Sequence, residues 1–116
     1  MSKTAYEMMT EELINKHDDE FKNELKKDFG NISVENFIEN YKGLFFAKCD
    51  TFYAVGHERY GVFKIEKETL VISGLVDIYE LQTMIVLPEY IIAEGYEEIS
   101  VISTKDFSVV KREYTR

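Results

Sequence analysis

The chain has 116 residues, 14 Lys and Arg against 22 Asp and Glu, and a formal net charge of −8. That length predicts a single domain, 1–116, with one core large enough to need neither disulfide nor metal. Hydrophobic residues at 45% exclude a disordered chain, and the acidic balance argues against direct nucleic-acid binding, which takes an excess of Lys and Arg.

The one cysteine, Cys49, excludes an intramolecular disulfide. The first ten residues have neither an apolar core nor a small-residue cleavage site, so no signal peptide is expected. The longest apolar run, 84–87, falls far short of the ~20 residues that cross a membrane. A cytoplasmic protein without membrane contact is the expectation.

Two helices are predicted first. Thr4 and Glu7 have capping-box spacing. Met9, Leu13, His17, Phe21, Leu25 and Phe29 then recur every four residues, with Glu11, Glu12, Lys16, Asp19, Lys22, Lys26 and Lys27 opposite. The pattern predicts one amphipathic helix of about six or seven turns. Gly30 stands where a left-handed helix end is expected. Ser33 is a good N-cap for a second helix, with Ile32 and Phe37 as a hydrophobic staple and Val34, Ile38 and Tyr41 continuing the stripe. Met9, Leu13, Phe21, Leu25, Phe37 and Tyr41 are the expected helical core.

Beyond residue 44 the pattern becomes that of strands. Segments 45–49, 52–55, 61–65 and 70–72 are short aromatic and β-branched runs separated by turn residues. Segments 98–103 and 107–114 flank Thr104-Lys105-Asp106 as a final hairpin. A strand is expected over 78–87, and Pro88 is placed to open a helical turn over 89–94 as readily as a strand. The fold class predicted is α+β: a two-helix layer (1–43) packed on one antiparallel sheet of five or six strands (44–116).

Candidate chemistry is sparse. Cys49 and His57, eight residues apart, have no third group to orient them, so Cys49 reads as a buried small hydrophobe. His17 shares a helix face with Glu20 and Glu24, yet it also lies on the apolar stripe between Leu13 and Phe21. Glu97 and Glu98 are adjacent, so on a strand they point to opposite faces. No glycine-rich phosphate loop is present. No catalytic residue, metal ligand or cofactor site is therefore assigned.

One segment is distinctive. From 68 to 104 there is no Lys or Arg, and seven carboxylates fall there: Glu68, Asp77, Glu80, Glu89, Glu94, Glu97 and Glu98, interleaved with Tyr79, Tyr90 and Tyr96. Glu80, Glu89, Glu94, Glu97, Glu98, Tyr90 and Tyr96 are the expected contacts to a basic protein surface. In composition alone, a short acidic chain rich in Lys, Glu, Asn, Ile and Tyr resembles the inhibitors carried by phages and mobile elements, such as anti-CRISPR and anti-restriction proteins. That resemblance implies a non-enzymatic nucleic-acid mimic covering a nucleic-acid-binding site on a host protein such as a defence nuclease. The alternatives are a small enzyme or ligand-binding domain with a pocket between helices and sheet, and a toxin-neutralising immunity protein.

Overall fold

A computed structural model describes residues 3–115. The long first helix expected from the sequence is three pieces. Thr4 and Glu7 do form the reciprocal capping box, but it closes only a single 3₁₀ turn, Tyr6–Met8. Met9 is extended and bridges Ile72. Thr10 then caps α1 (Glu11–Asn15), and Asp18 caps α2 (Asp19–Phe29) through its contact with the Phe21 N–H.

The break has a geometric cause. Four residues turn an α-helix by about 400°, so a strict every-four repeat drifts about 40° per step. Six such positions would wind about 200° around a continuous helix. Interrupting the helix at Met9 and again at His17 keeps Leu13, Leu25 and Phe29 buried against the same sheet.

Gly30 ends α2 in the right-handed region at φ −80°, so the expected left-handed end is also corrected. Ser33 caps α3 (Val34–Tyr41) as expected, and Ile32 packs into the core that holds Phe37.

The single sheet of five or six strands is replaced by two four-stranded antiparallel sheets in simple meander order. The first contains β1 (Phe46–Lys48), β2 (Phe52–His57), β3 (Gly61–Glu66) and β4 (Ile72–Asp77). The second contains β5 (Thr83–Val86), β6 (Tyr90–Gly95), β7 (Glu98–Ser103) and β8 (Val109–Tyr114). Residues 78–82 cross between the sheets, so only the second half of the strand expected over 78–87 is one. Segment 89–94 is mostly β6 rather than a helical turn. Pro88 sits with Glu89 in a two-residue loop that the Leu87 N–H closes onto the Tyr90 carbonyl at 2.8 Å.

The result is three layers: helices, first sheet, second sheet. The first sheet is buried on both faces. Val55, Phe63 and Ile65 pack under the helices, while Phe52, Ala54 and Val62 pack against Ile91, Ala93 and Ile102 of the second sheet. Burial on both faces is why β2 and β3 read as continuous apolar runs. Of the expected helical core, Met9, Leu13, Leu25 and Phe37 are buried, but Phe21 and Tyr41 are only half-buried. Phe21 stacks on His17, and the Tyr41 hydroxyl donates to Glu58. No helix among the described residues is long and apolar enough to cross a membrane.

Candidate functional site

The register of the second sheet brings Thr83, Gly95, Glu98 and Tyr114 to one end of it. The β6–β7 hairpin turns there through Tyr96 and Glu97 alone, with Glu97 in the left-handed region at φ 62°. Across the outer face at this end, Glu94, Ile99 and Glu113 stand side by side on β6, β7 and β8.

The crossover 78–82 is joined to the hairpin. The Tyr96 N–H donates to the Tyr79 carbonyl at 2.8 Å, and the two rings meet edge to face at 6.0 Å. The Gln82 N–H donates to the Glu94 carbonyl at 2.8 Å, and the Thr83 hydroxyl to Glu94 Oε1 at 3.1 Å. Gly95 permits this approach, since a Cβ there would collide with Ile78 Cγ2 and the Tyr79 carbonyl oxygen. Glu80 takes a left-handed conformation at φ 52° within the crossover.

Four of the five glutamates singled out in the sequence, Glu80, Glu94, Glu97 and Glu98, are thus gathered with Tyr96 at one end. Glu89 and Tyr90 are not. They lie at the opposite end of β6, a six-residue strand roughly 17 Å long. Three residues outside the expected set join the acidic end: Tyr79, Glu113 and Tyr114. Tyr79, Tyr96 and Tyr114 are 65%, 50% and 66% exposed, so three aromatic rings stand in solvent among carboxylates. The expected final hairpin forms, since β7 and β8 pair, but spacing did not fix the register that sets Glu113 beside Ile99 and Tyr114 beside Glu98.

Glu98 faces inward rather than outward. It lines an open cleft of about 360 Å³ with Phe21, Arg59, Tyr60, Asp77 and Arg112. Both arginines there are engaged. Arg112 donates from Nε to Ser100 Oγ at 3.0 Å and from Nη2 to the Asp77 carbonyl at 3.2 Å. Arg59 pairs with Glu24 at 3.1 Å and Asp28 at 3.3 Å. On the outer face Lys111 pairs with Glu113 at 3.2 Å. These cations are committed to partners within the chain.

The other groups that could carry chemistry lie apart from one another. Cys49 is buried between the sheets, whereas His57 lies among the rings on the helical side of the first sheet. Burial raises the Cys49 thiol pKa, keeping it protonated and weakly nucleophilic. His17 precedes the Asp18 cap and lies outside α2, so it does not share a helix face with Glu20 and Glu24. Its Nδ1 is 3.0 Å from the Leu13 carbonyl and its Nε2 is 3.1 Å from Asp77 Oδ1. Among the described residues no group of three or more His, Cys, Asp and Glu side chains is arranged to hold a metal ion.

His57 carries a pH prediction. Its ring lies 5.0 Å from Tyr60, 5.4 Å from Tyr41 and 5.5 Å from Phe29, and its Nδ1 accepts the Arg59 N–H at 3.1 Å. Desolvation, only partly opposed by Glu58 and Asp28, lowers its pKa below 6.5. The unfolded chain therefore takes up the proton first as pH falls. Stability is complete above the unfolded value of 6.5 and is lost as pH drops through the folded value. In melts from pH about 7.5 to about 5, a His57→Gln variant should lose less stability than the parent. Parallel losses in the two proteins would mean that His57 is not the group responsible.

Comparison with protein-family models, with curated proteins and with solved structures finds no match.

Proposed function

We propose that the chain is a non-enzymatic binding protein that sets the acidic end of its second sheet into a cationic, nucleic-acid-binding groove on another protein and so inhibits it. The observation that carries this reading is the grouping of Glu80, Glu94 and Glu97 with Tyr79, Tyr96 and Tyr114 at one end, beside the Lys111–Glu113 ion pair. On the outer face Glu94 and Glu113 stand two strand spacings apart, about 9.6 Å, with Ile99 between them. Exposed tyrosines supply large, rigid contact area and are enriched among the residues that dominate binding energy at protein interfaces.

An acidic chain of this composition fits an inhibitor carried by a phage or mobile element and acting in the cytoplasm of its host.

The test is capture of the partner on the immobilised chain from a lysate of the cells that carry it, followed by washing with duplex DNA. A partner that binds nucleic acid and is released by the duplex is the expected result. A partner that stays bound through excess duplex would overturn the mimicry.

A further inference from the structure

We infer that β5 is a pairing edge for a second copy of this chain, centred on Ile85 and reaching the acidic end only at Thr83. Each of the two sheets has two edge strands, and three of the four are short or guarded. β1 has only three residues. β4 is partly covered by the N-terminal segment, where Met9 bridges Ile72 and the Thr10 N–H donates to the Ile72 carbonyl at 3.1 Å. β8 carries an extra residue, Val110, between the pairs Val101–Lys111 and Ile102–Val109, together with Lys111, Arg112 and Glu113. Bulges and charges of this kind discourage a further strand from pairing.

β5 has neither. From Leu81 to Pro88 there is no charged residue, its register with β6 is regular over its four residues, Thr83–Val86, and Ile85, Val86 and Leu87 are 53%, 47% and 42% exposed.

The backbone of β5 is open along one side. The bond from the Leu87 N–H to the Tyr90 carbonyl makes Leu87–Tyr90 a hydrogen-bonded pair. Pairs alternate along an antiparallel ladder, so Ile85–Ile92 is hydrogen-bonded, while Met84–Ala93 and Val86–Ile91 are not. The N–H and C=O groups of Met84 and Val86 therefore point away from β6. Among the described residues no loop or strand lies hydrogen-bonded on that side.

The chemistry of the edge selects a second copy. With no carboxylate of its own, the edge has nothing to offer a basic partner. Against itself it sets uncharged residues opposite uncharged residues. Antiparallel pairing about a two-fold axis at Ile85 places Met84 opposite Val86 of the second copy, and every outward N–H then meets an outward C=O. On the outer face Ile85, Ile92 and Val101 already form a cross-strand apolar row. The axis joins this row to its copy through the two Ile85 side chains. Pro88, which has no N–H to donate, ends the pairing.

The register makes the test sharp. At a non-hydrogen-bonded antiparallel site the two Ile85 Cα atoms would lie about 4.5 Å apart, within disulfide range. Thr83 stands on the same outer face of the same strand but would oppose Leu87 of the second copy, leaving the two Thr83 residues about 13 Å apart. Each position is replaced by cysteine on a Cys49→Ala background, with circular dichroism confirming the fold. Under mild oxidation the Ile85→Cys chain should become a covalent dimer while the Thr83→Cys chain stays monomeric. The unmodified chain should sediment increasingly as a dimer as its concentration rises. Equal cross-linking at the two positions, cross-linking at neither, or a monomer at every concentration would overturn the inference.

Discussion

Replacing Phe37 by Ala is expected to cost the fold roughly 3–5 kcal/mol. Phe37 is 1% exposed at the junction of α3 with the first sheet. Its ring meets Phe29 at 5.0 Å, Tyr41 at 5.4 Å and Phe63 at 5.7 Å, with edge-to-face geometry in each case. Truncation removes the buried ring and leaves a cavity whose walls are held by strands on one side and a capped helix on the other. They cannot close over it fully. Against a total stability of about 5–15 kcal/mol for a domain, this loss should lower Tm by about 10 °C or more.

Phe21→Ala is the internal comparison. Phe21 is half-buried and stacks on His17 at 3.9 Å, so its loss should cost less, about 1–2 kcal/mol. Equilibrium urea unfolding of the two variants checks the order. Equal and negligible losses would mean that the helices are not seated on the first sheet as described.

Two capping signals and one strand were legible in the sequence because their causes are local. The Thr4–Glu7 box and the Ser33 cap form as their spacing predicts, and β7 spans the 98–103 run. What failed depended on geometry over longer distances. The stripe from Met9 to Phe29 satisfied an every-four rule, but a helix of 3.6 residues per turn cannot hold that rule on one face, and Thr10 and Asp18 were caps hidden within it.

One sheet was expected where there are two, because alternation within a strand says nothing of which strands pair. The crossover 78–82 has an apolar content between those of the strands on either side. The candidate site was legible in part for the same reason. The run from Glu68 to Thr104 without a cation was visible, but its division between two ends of β6 was set by register. Register also recruited Glu113 and Tyr114 from the last strand and sent Glu98 inward toward Arg112.

Reversing charge at the acidic end should be far more damaging to binding than reversing it elsewhere. Glu94→Lys with Glu97→Lys changes two carboxylates at the proposed contact. Glu39→Lys with Glu68→Lys changes two exposed carboxylates outside it, one on α3 and one in the β3–β4 turn. Both double variants shift the net charge by the same amount, so any difference between them reports local field rather than bulk charge. Steering by complementary charge accounts for roughly 10–10³-fold in association rate and weakens as salt shortens the screening length to about 8–10 Å.

The most direct measurement is the association rate of the captured partner with the parent chain and both double variants, across a series of salt concentrations. The account predicts that the acidic-end variant associates about ten-fold or more slowly at low salt, that the control stays close to the parent, and that the three rates converge as salt rises. If the two double variants associate alike, or if the acidic-end variant matches the parent, the acidic end is not the binding surface.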